Sequence, residues 1–212
     1  MPDHDLHLIS FESCPYVERS RIVLEEKGVD YELTFIDLDD KPEWFLEISP
    51  RGKVPVLEVD ETPIFESSVI NEMLEELYPE PAMFPQDPVR RAEARAWIVY
   101  NSDVLMGPAY LLMIDKNADE NRASLRAGLE RVDAELGNHA GRYFLGDDFG
   151  LVDAVYAPLF TRWEAMTKLG HGDLLDGLDE LRDYGHALLE RPSVQAARYD
   201  DLTEAVLAYS EG

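Results

Sequence analysis

The chain has a single cysteine, Cys14, among 212 residues. One thiol excludes an internal disulfide framework and suits a reducing compartment, so a cytoplasmic protein is expected. It also excludes a dithiol redox centre, because the position three after Cys14 is Val17 rather than a second cysteine. Cations are scarce as well. Nineteen Lys and Arg stand against 44 Asp and Glu, for a net charge of −25. Such a field repels phosphate backbones and argues against a direct nucleic-acid partner. The acidity itself reads as a solvated surface that aids solubility, with an acidic binding face as the less favoured alternative. Apolar runs long enough for a membrane span are missing, so no membrane partner is expected. The opening MPDHDLHLIS lacks the basic-then-apolar order of a signal peptide. The five histidines, at 4, 7, 139, 171 and 186, form no i, i+4 pair, and no metal is expected.

What is present divides by pattern near residue 80. LHLIS (6–10), YELTFI (31–36), VPVLEV (54–59) and TPIF (62–65) have the length and apolar character of strands. Helical segments near 15–27, 41–48 and 67–78 lie between them, giving the order βαβαββα. EVDETP is short and polar, as a hairpin turn requires. YPEPAMFPQDP (78–88) carries four prolines and breaks both periods, so it reads as a linker. Helical periodicity follows over about 89–115, 120–138, 151–169 and 174–190, with one or two short helices behind. The fold class expected is α/β plus all-α: a first domain at 1–79, a linker at 80–88 and a helical domain at 89–212.

The chemistry centres on SFESCPYVERSRIVLEEKGV (10–29). Proline is favoured at the first helical position, which places Cys14 at the N-cap, where the first strand gives way to a helix. Unpaired N–H groups and the positive end of the helix dipole favour thiolate there, so a lowered pKa and a reactive sulfur are expected. The bland alternative is a buried, inert thiol. With no resolving cysteine in the chain, a reactive Cys14 needs an external thiol, and a small one such as glutathione is the natural candidate.

These residues resemble the glutathione transferases, and most closely the cysteine-containing omega class. CPYVERSRIVLEEKGVDYE is similar to the omega opening, and DKPEWFLEISPRGKVPVLE (40–58) to a following omega segment. FESSVINEMLEELYPE (65–80) looks like the family's Glu-Ser helix start, and LFTRWEAMTKL (159–169) resembles the sixth-helix segment. The resemblance implies a thioredoxin-like first domain, a homodimer and a glutathione site. Within that site it implies Cys14 as the catalytic thiol. Pro55 would be a cis proline that exposes the Val54 backbone to the cysteinyl part of glutathione. Glu66 and the N-cap Ser67 would lie at the γ-glutamyl end, and Lys41 at the glycyl carboxylate. Each residue also has a plain structural reading: a proline at a strand start, a capped helix, a solvated lysine. Lys41, Arg51 and Lys53 are three of only six cations in residues 1–79, the others being Arg19, Arg21 and Lys27, so they form a local positive spot. Lys53 fits the omega pattern less well than Lys41.

GLVDAVYAPLF (150–160) matches the family's capping box at Asp153, but with Gly150 in place of the usual hydroxyl residue, which weakens the box. Tyr16 is expected to pack near the thiol. Trp97, Tyr100, Tyr110 and Trp163 are expected mainly in the core, with one or two walling the pocket for a small electrophilic or disulfide substrate.

The resemblance implies a glutathione-dependent thiol transferase or reductase working through a Cys14–glutathione mixed disulfide. Conjugation to an electrophile fits less well, because cysteine forms the disulfide instead of donating a hydrogen bond. A third, non-enzymatic reading exists, since LVDAVYAPLF and YPEPAMFPQDPV also resemble stringent starvation protein A, a partner of RNA polymerase.

Overall fold

A computed structural model describes residues 4–210. The first half is a four-stranded sheet with three helices. Its strands are β1 (Leu6–Ser10), β2 (Glu32–Phe35), β3 (Val56–Val59) and β4 (Thr62–Phe65), in spatial order β2-β1-β3-β4. β1 is parallel to β2 and antiparallel to β3, and β3 pairs antiparallel with β4. The polar turn expected between β3 and β4 is present. Asp60 and Glu61 both take positive φ, 48° and 66°, as a tight hairpin turn demands. His4 and the Asp5 amide hold the Asp60 carboxylate.

α1 (Pro15–Lys27) follows β1 and ends on Gly28 in the left-handed region, whose N–H closes on Glu25 and Leu24. Val17, Ile22, Val23 and Leu24 give it a fully buried face. α2 (Glu43–Ile48) is shorter than the sequence suggests and starts two residues later. α3 (Ser67–Leu77) completes the βαβαββα unit.

The proline-rich linker is tied down rather than loose. Met83 and Phe84 are buried, their amides donate to Glu75, and Lys27 bonds both Glu75 and the Pro81 carbonyl.

Beyond it lie α4 (Pro88–Tyr100), α5 (Gly107–Met113), α6 (Ala118–Leu136), α7 (Leu151–Thr161), α8 (Trp163–Lys168), α9 (Asp179–Leu189), α10 (Pro192–Ala197) and α11 (Leu202–Ser210). Two expected long helices are interrupted. The one over 89–115 widens into a π-helical run at Asn101–Met106. Pro108 has no N–H to return to Val104, which removes an α-type bond there. The helix over 151–169 breaks at Arg162, which turns its guanidinium back onto the Pro158 carbonyl and Thr161. The segment expected as a helix over 174–190 begins as a 3₁₀ turn, Gly172–Leu175, and α9 starts only after Gly177 at φ 75°.

α7 is buried along its whole length and packs against α1, so one apolar core spans both halves. Its start is firmer than the missing hydroxyl suggests. The Asp153 carboxylate accepts from the amides of Gly150 (2.7 Å) and Phe144 (3.0 Å) and from the Tyr184 hydroxyl (2.8 Å). Gly150 itself is required by packing, because a Cβ there would lie 2.9 Å from the Met83 carbonyl oxygen.

Candidate active site

β1 ends at Ser10, and the turn Phe11–Glu12–Ser13 carries the chain to α1. Ser13 adopts φ 65°, and Cys14 occupies the N-cap with Pro15 directly behind it. The Cys14 amide donates to the Phe11 carbonyl and the Cys14 carbonyl accepts from the Glu18 amide. From the helical half, the Arg162 guanidinium donates to the Ser13 carbonyl (2.6 Å) and to the Glu18 carboxylate (2.5 Å). Glu18 and Arg162 are both buried, so this ion pair locks the turn bearing Cys14 to the end of α7.

The half-buried Cys14 faces a cavity of about 450 Å³ between the two halves. Its apolar wall includes Phe11, Leu38, Met106, Tyr110 and Met113, and its cations are Lys41, Lys53 and Arg162. A second, more polar cavity of about 410 Å³ contains Pro55, Glu66, Ser67, Arg19, Ser102 and Asp103. Tyr16, Lys53 and Val54 line both, so the two cavities form one cleft.

All six residues singled out for the site line this cleft: Cys14 and Lys41 in the first cavity, Val54 in both, and Pro55, Glu66 and Ser67 in the second. The Val54–Pro55 bond is cis. Among the described residues no hydrogen bond occupies the Val54 amide or carbonyl.

Three local expectations need correction. The N-cap of α3 is Glu66, at φ 71°, and Ser67 is the first helical residue rather than the cap. Lys41 precedes Pro42, the N-cap of α2, so it does not oppose that helix dipole from within. The Cys14 thiol is pushed up from its ordinary value, not down. Burial outweighs the Val17 and Tyr16 amides and the charges of Arg162 and Arg19, which pull the other way.

Of the aromatics held out for the substrate pocket, Tyr110 lines the first cavity. Tyr100 stacks edge-on against Trp97 and reaches the Gly128 carbonyl, and Trp163 packs on Phe160; neither lines the cleft. Sequence reasoning missed Arg162, Arg19 and Asp103. For Arg162 the signal was a cation directly after an apolar run, AVYAPLFTRW. Away from the cleft, one group that ligand spacing would admit appears among the described residues. Glu93, Glu135 and His139 bring ligand atoms within 4.8 Å, but Glu135 is already engaged by His139 and Arg131.

A family model described as the glutathione S-transferase N-terminal domain matches residues 13–77, and its C-terminal counterpart matches residues 115–184. The chain belongs to the glutathione S-transferase family. Glutathione S-transferase omega-1 of Mus musculus is 35% identical over 170 residues, covering 78% of this chain and 70% of the relative. Glutathione S-transferase DHAR2 of Arabidopsis thaliana is 34% identical over 186 residues, covering 86% and 82%. The solved glutathione transferase Omega 3C of Trametes versicolor superposes with a TM-score of 0.82 at 32% identity, covering 94% of this chain and 91% of that one. In this transferase no helix of the described residues is long and apolar enough to cross a membrane.

Proposed function

We propose that this glutathione transferase is an omega-type enzyme acting as a glutathione-dependent thiol transferase or reductase, with Cys14 as its catalytic thiol. The observation that carries the reading is the lone thiol lining an apolar cavity that shares Tyr16, Lys53 and Val54 with a polar one. Glutathione would run from the polar cavity past Val54 to Lys41 in the first cavity. Val54 offers it a strand-like edge, Ser67 and the start of α3 receive the γ-glutamyl carboxylate with Glu66 near its ammonium, and Lys41 meets the glycyl carboxylate. Cys14 thiolate attacks the glutathionyl sulfur of a mixed disulfide, forming Cys14–S–S–glutathione and releasing the substrate thiolate. A second glutathione thiolate then attacks that bond, releasing oxidised glutathione and regenerating Cys14 thiolate. The apolar wall with Met106, Tyr110 and Met113 would hold the small disulfide or electrophilic substrate.

The division into 1–79, 80–88 and 89–212 belongs to this proposal, supported by α3 ending at Leu77 and α4 starting at Pro88. A homodimer is supported by the exposed apolar residues Phe65 and Val99, which line the polar cavity, and by the exposed Val69 on α3. A cytoplasmic setting accords with a working thiol and a supply of reduced glutathione.

After exposure to oxidised glutathione, intact mass should rise by one glutathionyl group and return with reductant. Cys14→Ser should abolish thiol transfer, since a hydroxyl cannot form the mixed disulfide. No adduct on the wild type, together with no retention on immobilised glutathione, would sink the reading and favour the polymerase-partner alternative.

A further inference from the structure

The first cavity reverses the charge balance of the protein. The chain carries 44 Asp and Glu against 19 Lys and Arg, yet among the described residues no carboxylate lines that cavity, while Lys41, Lys53 and Arg162 do. The second cavity is mixed. It holds Glu66 and Asp103 beside its cations, and Arg51 there is bonded to Glu66 at 2.6 Å. The rest of the first cavity is largely apolar, with Phe11, Leu38, Met106 and Met113 in its wall. At about 450 Å³ it has the size of a site for a small organic molecule.

The three cations are not equivalent. Arg162 is offset by the Glu18 carboxylate at 2.5 Å. Lys41 has its task in the proposed glutathione site, at the glycyl carboxylate. Lys53 has no ion pair and no side-chain hydrogen bond among the described residues. Its backbone is nevertheless fixed. The Lys53 amide donates to Ser49 Oγ at 3.0 Å, that hydroxyl donates to the Lys53 carbonyl at 2.9 Å, and Ser49 is buried. Lys53 also lines both cavities, so it stands between the place of glutathione and the place of the second substrate. One ammonium beside an apolar wall complements a ligand with an apolar body and one negative charge. The net charge of −25 repels any anion, so a preference for one must come from such a local group.

We propose that the preferred second substrate is an apolar organic anion joined to glutathione through a disulfide, and that Lys53 determines this preference. The proposal rests on the thiol-transfer reading. In that reaction Cys14 thiolate bonds to the glutathionyl sulfur, the substrate disulfide breaks, and the apolar acid leaves as its thiolate. Lys53 meets the carboxylate of that acid while Met106 and Met113 wall its apolar body.

Glutathione mixed disulfides of para-carboxybenzyl mercaptan and of its methyl ester differ by one negative charge placed far from the sulfur. For both, kcat/KM should be measured at saturating glutathione, above the uncatalysed exchange, in wild type, Lys53→Gln and Lys53→Arg. The wild type should favour the acid by at least about threefold, mainly through KM, with the ratio falling to about one in Lys53→Gln and holding in Lys53→Arg. Molar salt should shrink the wild-type ratio. A wild-type ratio near one, or a preference unaltered in Lys53→Gln, would overturn the proposal. So would equal losses for both substrates in Lys53→Gln, the result expected if Lys53 shares the glycyl carboxylate with Lys41. If neither disulfide turns over, the thiol-transfer reading fails, and the charge preference is read from alkylation of Cys14 instead. The reagents are para-carboxybenzyl bromide and its methyl ester, each referred to its rate with a small neutral thiol. Faster reaction of the acid, lost in Lys53→Gln, is expected there too, and its absence overturns the proposal.

Discussion

Glu18→Gln tests the ion pair that joins the two halves beneath the turn bearing Cys14. Glu18 and Arg162 have side-chain exposures of 0% and 3%, and one Glu18 oxygen is 2.5 Å from Arg162 while the other has no partner. Water therefore cannot replace the lost charge. Removing one member of a buried pair costs about 3–5 kcal/mol. Glutamine keeps an acceptor for Arg162, and the bonds to Pro158, Thr161 and Ser13 remain, so the low end applies. A loss of about 3 kcal/mol in a chain of this size lowers Tm by about 6–12 °C. Urea unfolding with an unchanged slope should show the corresponding fall in midpoint. Arg162→Met removes the cation as well, and replacing both partners with uncharged side chains is often close to neutral. The double variant should therefore be more stable than the sum of the single losses predicts, by at least about 1 kcal/mol. Additive losses, or a Glu18→Gln loss below about 1 kcal/mol, would show that the pair is not an isolated buried charge contact.

Asp153 is held up from the ordinary 3.8 to about 6, first by burial, against the pull of its amide and Tyr184 hydrogen bonds. The folded state keeps a proton that the unfolded state releases between those values. The stability this adds is complete below pH 3.8 and is lost as pH rises through about 6, a span worth about 3 kcal/mol. The stability gap between wild type and Asp153→Asn should thus be larger near pH 4 than near pH 7; a gap independent of pH would refute the assignment. Lys41→Ala and Glu66→Ala should each weaken glutathione binding by about 1–3 kcal/mol in calorimetric titration, and unchanged affinity in both would show that these side chains do not hold the peptide.

Local residue patterns were enough to set the strand–helix order, the hairpin at Asp60–Glu61, the Pro15 start of α1 and the placement of Cys14 at its N-cap. Each of these is set by local rules: alternation of apolar residues, turn chemistry, and proline at the first helical position. The six residues that the family resemblance singled out line one cleft, and they fall at element ends in short segments with a recognisable order. Tertiary structure decided what depends on neighbours far away in the chain. Asn101 and Ser102 look like ordinary helix positions until Arg19, more than eighty residues earlier in the sequence, takes both as acceptors. Arg162 ends α7 because its guanidinium turns inward toward Glu18 and Ser13. The Cys14 thiol shows the division most clearly. Helix position alone predicts a lowered pKa, since amides and dipole act locally. The cavity walls packed around it reverse the direction, because desolvation is the sum of everything that excludes water, and no local pattern in a sequence records that sum.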